Sequence, residues 1–215
     1  MRFWPSILIV ALLLGSCVGP SDKGRRPVTR YQPPVETPER FAQCVAILRS
    51  EGSQVEALPD RRFDNGCSAT SAVKLVAIGI PVANLGAVKC GLAVPFARWV
   101  RQDVQAQAQR WLGGYVTKID SFGSFACRPV NNKEGNKLSE HGRANAIDIG
   151  GFQLKDGRRI TIKQGWNSSD PQIRGFLRSL HKAACARFIV VLGPEENALH
   201  ADHFHFDMGS WRYCR

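Results

Sequence analysis

The sequence predicts an α+β fold, in which a small antiparallel sheet is flanked by helices and stabilised by disulfides. Segments with helical periodicity and segments that alternate like strands follow one another without a βαβ rhythm. Six cysteines lie within residues 44–214, and four of the five histidines fall in two short windows in or beside the predicted sheet. The 215 residues have room for one domain with a core and a small appendage.

The first 17 residues have the layout of a secretory signal peptide. Arg2 supplies a basic start, Ile7–Leu14 forms an unbroken apolar run, and the small residues Gly15 and Ser16 follow it. Such a segment is too short to span a bilayer as a permanent anchor. We therefore expect an exported, periplasmic protein.

The end of this segment, Leu14–Cys17, resembles the bacterial lipobox. The resemblance implies that Cys17 carries a lipid and becomes the new N-terminus. A plain cleavage site with a chance cysteine is the alternative. Val18, rather than Asp, follows the cysteine, so nothing signals retention at an inner membrane. The expected location is the outer membrane, with the lipid on Cys17 as the anchor.

Residues 18–39 are rich in proline and poor in apolar side chains. A segment of this composition cannot bury a core, so we expect an extended tether between the lipid and the folded domain. The folded domain is expected over residues 40–215.

The first half of this domain has helical patterns separated by strand-like ones. Residues 40–58 begin as an amphipathic helix, residues 66–86 predict short strands and turns, and residues 91–112 predict a long helix. Pro95 is expected in the first turn of the long helix, where proline is tolerated. Its buried stripe is predicted to comprise Phe96, Trp99, Val100, Val104 and Trp111.

The second half is predicted to mix strands and one helix. The strand segments are 115–119, 144–154, 159–162, 188–192 and a final one at 203–208, with a hairpin turn at Asp156-Gly157. The helix is expected over 173–184, and His181 within it is interpreted as a surface residue.

The cysteines agree with export. Without Cys17 their number is even, which predicts three disulfides among Cys44, Cys67, Cys90, Cys127, Cys185 and Cys214. No CxxC pair occurs, which disfavours a thiolate zinc knuckle or a thioredoxin-type site. Spacing leaves many pairings open. Cys185–Cys214 is a reasonable pairing, because it would tie down the C-terminus. Free, buried cysteines are the alternative.

The charge is strongly basic, with 29 Lys and Arg against 18 Asp and Glu and a formal net charge of +11. This balance favours anionic partners such as a cell-wall polymer or anionic lipid. Neither a lysine-rich block nor an aromatic-glycine repeat occurs, so nucleic acid is not indicated. The alternative is that the charge only aids solubility.

The histidines suggest a metal site. In a strand, His203, His205 and Asp207 would share one face. Adjacent imidazoles need polar partners, and a metal ion satisfies both. A polar surface strand is the alternative.

The second histidine window adds a carboxylate. His141 precedes another predicted strand, in which Asp148 lies between apolar neighbours and is costly to bury without a partner. Two imidazole nitrogens and one carboxylate oxygen form a zinc site of the catalytic type.

The segment Ser139–Asp148 resembles the SxHxxGxAxD motif of the LAS zinc peptidases, which comprise lysostaphin-type enzymes, D-alanyl-D-alanine carboxypeptidases and hedgehog-like domains. The glycine of that motif falls on Ala144 here. The HxH of their second motif matches His203-Phe204-His205. More narrowly, four segments carry a second resemblance: Ala126–Arg128, Leu138–Ile149, Leu192–Pro194 and His200–Asp207. Through them, residues of about 44–214 resemble the extensin-like C-terminal family of proteobacteria. No HExxH helix occurs, which excludes the thermolysin-type layout.

The resemblance implies roles for individual residues. The expected zinc ligands are His141, Asp148 and His205. The general base is expected to be Asp202, His203 or His200, and the sequence favours His203 only if residues 202–207 are all strand. Arg128 and Ser139 are expected to bind a substrate group, with an ordinary surface cation as the alternative for Arg128.

The function implied by this resemblance is zinc-dependent cleavage of peptidoglycan peptides by a carboxypeptidase or an endopeptidase. Zn²⁺ is the expected cofactor, and peptidoglycan and the membrane are the expected partners. A non-catalytic, zinc-containing module that binds the cell wall is the alternative. An envelope scaffold with a structural zinc ion is a third.

Overall fold

The computed structural model describes Met1 and residues 30–215. The predicted signal peptide, the lipobox with Cys17 and the first part of the tether therefore lie outside the described residues. The last part of the predicted tether lies against the domain. The main-chain N–H of Tyr31 donates to the carbonyl of Ser210 at 2.6 Å, and Arg30 forms an isolated antiparallel bridge with Trp211.

The helices begin and end close to the predicted positions. α1 spans Pro38–Ser50, so it includes the last two residues of the predicted tether. The predicted long helix is α2 (Cys90–Arg98) and α3 (Gln105–Leu112), joined by a π-helical segment over Trp99–Val104. The others are α4 (Ile162–Gly165) and α5 (Pro171–Arg187).

Eleven strands form three sheets within the described residues. The large sheet has the order β11-β9-β10-β7-β6, and β8 pairs with β7. A second sheet has three strands in the order β1-β4-β5, and the third sheet consists of the pair β2-β3. The strand bounds are β1 (Gln54–Ala57), β2 (Arg61–Arg62), β3 (Ser68–Ala69), β4 (Ala72–Ala77), β5 (Val88–Lys89), β6 (Val116–Gly123), β7 (Ala146–Leu154), β8 (Arg159–Thr161), β9 (Val190–Leu192), β10 (Phe204–Asp207) and β11 (Tyr213–Cys214).

The large sheet is mostly antiparallel, as predicted, but β11 lies parallel to β9. The predicted final strand is therefore not the last, because the chain returns after β10 and adds β11 at the sheet edge. The coarse prediction of a mixed fold of helix and sheet, stabilised by disulfides, is confirmed.

One face of the large sheet carries the core. Trp99 packs on Phe152 and Phe206, with ring centroids 6.3 and 5.1 Å apart, and its indole Nε1 donates to the carbonyl of Leu180 in α5. Side chains alternate across a strand, so the neighbours of Phe206 in β10 point to the opposite face. This alternation directs His205 and Asp207 away from the helices.

Three disulfides link the elements of the described chain: Cys44–Cys90, Cys67–Cys127 and Cys185–Cys214. The expected Cys185–Cys214 bond is confirmed, and it ties α5 to β11. Cys44–Cys90 ties α1 to the first residue of α2. Closed loops of this length restrict the unfolded chain, which stabilises the fold.

Two local expectations were wrong. Pro95 lies in the second turn of α2 rather than in the first. Because proline has no N–H, the helix lacks one backbone hydrogen bond in this second turn. The strand predicted from residue 144 begins at Ala146, because a 3₁₀ turn over Glu140–Arg143 ends at Ala144 with a left-handed φ of 53°.

His181 was also wrongly expected to be a plain surface residue. Its ring packs edge-on against Trp166 and Phe204, at centroid distances of 5.6 and 5.3 Å, and burial lowers its pKa. Its Nε2 lies 3.2 Å from the carbonyl of Arg215. The side chain therefore helps to hold the C-terminus against the domain.

Within residues 30–215, none of the helices combines the length and apolar character needed to cross a membrane.

Candidate metal centre

Three elements bring His141, Asp148 and His205 together. Ser139 caps the 3₁₀ turn that carries His141, since its hydroxyl accepts from the His141 N–H at 3.3 Å. Asp148 lies in β7, directly opposite His205 in β10. All three side chains are buried, with 3, 7 and 9% of their surface exposed.

The inner atoms of these residues converge on one point. His205 Nδ1 lies 2.9 Å from Asp148 Oδ1, and His141 Nε2 lies 3.1 Å from Asp148 Oδ2. The two imidazole nitrogens, His141 Nε2 and His205 Nδ1, are 3.2 Å apart. Zinc–nitrogen bonds of about 2.0–2.1 Å in a tetrahedral site separate neighbouring ligand atoms by about 3.3 Å. The spacing of the donor atoms therefore fits a zinc ion.

The protonation of His141 also fits a metal. Its Nδ1 lies 3.2 Å from the carbonyl oxygen of Ser124. A carbonyl only accepts, so the ring proton belongs on Nδ1, and Nε2 directs a lone pair at the centre. A cation there would satisfy this lone pair together with the Asp148 carboxylate.

The electrostatics of the centre favour positive charge. Burial pushes the pKa of Asp148 upward, but interactions with His141 and His205 outweigh it and hold the pKa well below its usual range. Burial likewise pushes the pKa of His205 downward, but the carboxylates of Asp148 and Asp207 raise it to about 9. The same two carboxylates would attract a metal ion.

His203 is the nearest of the three candidate bases. Its Nε2 lies 3.7 Å from Asp148 Oδ1, and its Nδ1 lies 2.9 Å from Asp202 Oδ1. It precedes β10, which begins at Phe204, so the alternation of that strand does not set its direction. The exposed ring of Phe122 stands edge-on to it at a centroid distance of 5.7 Å.

Asp202 and His200 occupy the next positions outward. Asp202 contacts the far nitrogen of His203. The His200 ring is 5.2 Å from that of His203 and 6.0 Å from that of His205, and its Nδ1 lies 2.9 Å from Asn197 Oδ1. Burial, together with the neighbouring imidazoles, lowers the pKa of His200 to about 4, so this ring is neutral at pH 7.

The structure distinguishes the two expected substrate-binding residues. The Arg128 guanidinium lies 4.0 Å from Asp148 Oδ2, and its side chain is 32% exposed to the cleft. Ser139 also borders the cleft, but its hydroxyl is engaged as the cap of the 3₁₀ turn, and the residue is only 6% exposed. Arg128 is therefore better placed than Ser139 to contact a ligand.

A cleft of about 690 Å³ opens above the centre. Among its lining residues, Arg128, Lys137 and Arg143 are cationic, while Leu199 and Trp211 are large, exposed and apolar. Trp211 and Lys137 were not predicted as site residues, since both lie outside the two histidine windows. The role of the Ser124 carbonyl could not be predicted either, because every residue carries such a group and no side-chain pattern marks it.

His181, Cys185 and Cys214 form a second cluster of possible metal ligands. Both of its sulfur atoms belong to one disulfide, so they are not available as thiolates.

The comparisons with known proteins identify the family. The family described as "Extensin-like protein C-terminus" matches residues 42–215, which is most of the chain. None of the curated proteins and none of the solved structures matches the chain. The chain therefore belongs to the extensin-like C-terminal family.

Proposed function

We propose that this protein is a zinc-dependent peptidase that cleaves peptide bonds of peptidoglycan, as a carboxypeptidase or an endopeptidase. The observation that carries the proposal is the buried group of His141, Asp148 and His205 at the floor of an open cleft. A structural zinc site is usually closed by four protein ligands, whereas three ligands beside a cleft leave a position for a substrate.

The three ligands would hold zinc through His141 Nε2, His205 Nδ1 and an oxygen of Asp148. Zinc in such a set supplies Lewis acidity toward a carbonyl group and toward water. The protein contributes the burial of the ligands and the fixed tautomer of His141, both of which keep the donor atoms aimed at one point.

His203 is proposed as the general base. Its Nδ1–H donates to the Asp202 carboxylate, which leaves Nε2 free to take a proton on the side of the metal centre. Asp202 then acts as a positioning residue, since it contacts the base and not the centre. His200 is neutral and stands behind His203, where it can support the ring.

Arg128 is proposed to bind a carboxylate or to polarise a carbonyl of the substrate. It reaches the centre from the cleft and keeps exposed surface, while Lys137 and Arg143 add positive charge to the lining. Glu140, Asp148 and Asp207 also line the cleft, so the attraction of an anionic peptide would be centred on Arg128 and Lys137. Peptidoglycan stem peptides carry carboxylates, and the predicted lipoprotein signal with its tether would place the domain beside this substrate.

Purified peptidoglycan provides the test. We expect the zinc-loaded protein to release stem-peptide fragments or terminal D-alanine, and we expect a chelator to stop the release. His205→Ala should lose both zinc and activity, because it removes one of three ligands. A zinc-loaded protein that leaves every crosslink and every terminal D-alanine intact would contradict catalysis. Binding of that protein to sacculi would instead support the non-catalytic wall-binding module.

A further inference from the structure

We propose that Asp207 is a positioning residue for the metal centre, which holds the ring proton of His205 on Nε2 and thereby makes Nδ1 the ligand atom. The inference rests on the proposed zinc site and adds a residue to it. It concerns how the protein prepares His205, rather than which bond is cleaved.

The contacts of Asp207 carry the proposal. Its Oδ2 lies 2.9 Å from His205 Nε2, the ring nitrogen that faces away from Asp148. Its Oδ1 accepts from the Gly209 N–H at 2.7 Å. Asp207 is only 6% exposed, and each of its oxygens has one of these protein partners. The backbone contact holds the carboxylate in place for the imidazole.

The consequence for His205 follows from hydrogen-bond chemistry. An ionised carboxylate only accepts, and both ring nitrogens of His205 face one. With a metal ion held between Nδ1 and Asp148, the ring would keep its single proton on Nε2, where Asp207 accepts it. Nδ1 then directs its lone pair at Asp148 and His141, as a metal ligand requires. A carboxylate on the far nitrogen also raises the basicity of the ligating one.

His141 and His205 face the centre with different ring nitrogens, and in each ring an acceptor contacts the other nitrogen. His141 faces the centre with Nε2 because its Nδ1 meets the Ser124 carbonyl, whereas His205 faces it with Nδ1 because its Nε2 meets Asp207. Without these outer acceptors, either ring could carry a proton on its inner nitrogen and exclude a cation. The second acceptor differs from the first in being a side chain, so substitution can test it.

A structural role of Asp207 is the competing interpretation, since Asp207 also closes the turn after β10. Asp207→Asn separates the two roles. The amide oxygen can still accept from the Gly209 N–H, but the amide nitrogen then faces His205 Nε2 and donates to it. This contact moves the ring proton to Nδ1, where it opposes metal binding.

The matched control is Asp202→Asn. It makes the same change in a carboxylate that contacts a histidine at the same distance of 2.9 Å, but that histidine, His203, is not a proposed ligand. We expect Asp207→Asn to weaken zinc binding by about 10- to 100-fold in a chelator competition assay. Asp202→Asn should bind zinc as the unchanged protein does.

Nitrogen NMR of the imidazole rings gives a readout that a merely structural role would not move. The spectrum of the zinc-loaded unchanged protein should place the His205 proton on Nε2. That of metal-free Asp207→Asn, at a pH where the ring is neutral, should place it on Nδ1. If Asp207→Asn does not fold, Asp207→Ser serves instead, because its short hydroxyl still accepts from the Gly209 N–H without reaching the ring.

Zinc affinity in a folded Asp207→Asn protein equal to that of the unchanged protein would overturn the proposal. So would an unchanged protein that binds no zinc, and this result would also remove the proposed metal site. If zinc binds but peptidoglycan stays intact, the proposed activity fails, whereas the affinity ratio of the two Asn variants still decides the role of Asp207.

Discussion

At the scale of the residue, two histidines that are neighbours in sequence have different surroundings. His205 is buried between two carboxylates, while His203 contacts the partly exposed carboxylate of Asp202 and keeps its Nε2 toward the cleft side of the centre. A buried ring between fixed acceptors suits a ligand. A ring with one free nitrogen suits proton transfer, and this contrast yields a prediction for His203.

We predict that His203→Gln retains zinc but loses turnover on peptidoglycan by about 10²- to 10⁴-fold, because glutamine cannot accept the proton. Zinc content by metal analysis and fragment release by chromatography check the two halves of this prediction. Full activity in the variant would exclude His203 as the base.

Glu51 gives a second prediction at this scale. Its carboxylate contacts the guanidinium groups of Arg98 and Arg101, at 2.5 and 2.9 Å, and so joins the end of α1 to the long helix. Hydrogen bonding to Arg98 lowers the pKa of Glu51 in the folded protein. The unfolded chain therefore binds the proton at a higher pH than the folded one does.

The sign of the pH effect follows from this order. The contribution of Glu51 to stability is present above the unfolded pKa and is lost as the pH falls through the lowered folded pKa. We expect Glu51→Gln to reduce the free energy of unfolding by about 1 kcal/mol at pH 7. The difference should shrink toward zero at pH 3 in denaturant titrations. A difference that grows on acidification would contradict the assignment.

At the scale of the element, the turn before β7 sets the position of His141 relative to Asp148. Ala144 ends this turn with a φ of 53°, and its side chain is buried against Ala69 and Ala72. The left-handed region favours glycine, so the turn holds the alanine in a strained conformation. A larger or branched side chain at this position would be harder to place.

We predict that Ala144→Val destabilises the protein by about 2 kcal/mol or more, since a β-branched side chain is strained at positive φ and overfills the site. Ala144→Gly is the matched control and should stay within about 1 kcal/mol, because relief of strain offsets the gain in backbone freedom of the unfolded chain. Thermal unfolding compares the two. Equal stability of both variants would contradict the conformational argument.

At the scale of the whole molecule, the C-terminal return completes the cleft. After β10 the chain passes through Trp211, which lines the cleft, and adds β11 beside β9. The Cys185–Cys214 disulfide and the contact of the Gly193 N–H with the Arg215 carbonyl at 2.7 Å secure this return to the domain.

We predict that the double variant Cys185→Ser with Cys214→Ser lowers the free energy of unfolding by about 3 kcal/mol, because the unfolded chain loses a closed loop. Denaturant titration measures the loss. Full reduction of the unchanged protein should lower its stability further, because it also opens Cys44–Cys90 and Cys67–Cys127. If the variant unfolds at the same denaturant concentration as the unchanged protein, the disulfide does not support the return.

The sequence by itself determined the fold class, most of the strands and helices, and the family. These depend on local periodicity and on short motifs, which can be recognised in the sequence alone. It also predicted the strand faces of Asp148 and His205, because side chains alternate along a strand. One of the three disulfides was predicted correctly, since its two cysteines end neighbouring C-terminal elements.

Only the tertiary structure decided how these parts meet. The register that sets Asp148 opposite His205, the meeting of the His141 turn with both strands, and the pairs Cys44–Cys90 and Cys67–Cys127 join residues far apart in the chain. The Ser124 carbonyl, which orients the His141 ring, becomes its partner through the same packing. Such contacts depend on packing and strand register between distant segments, and local sequence patterns do not encode that register.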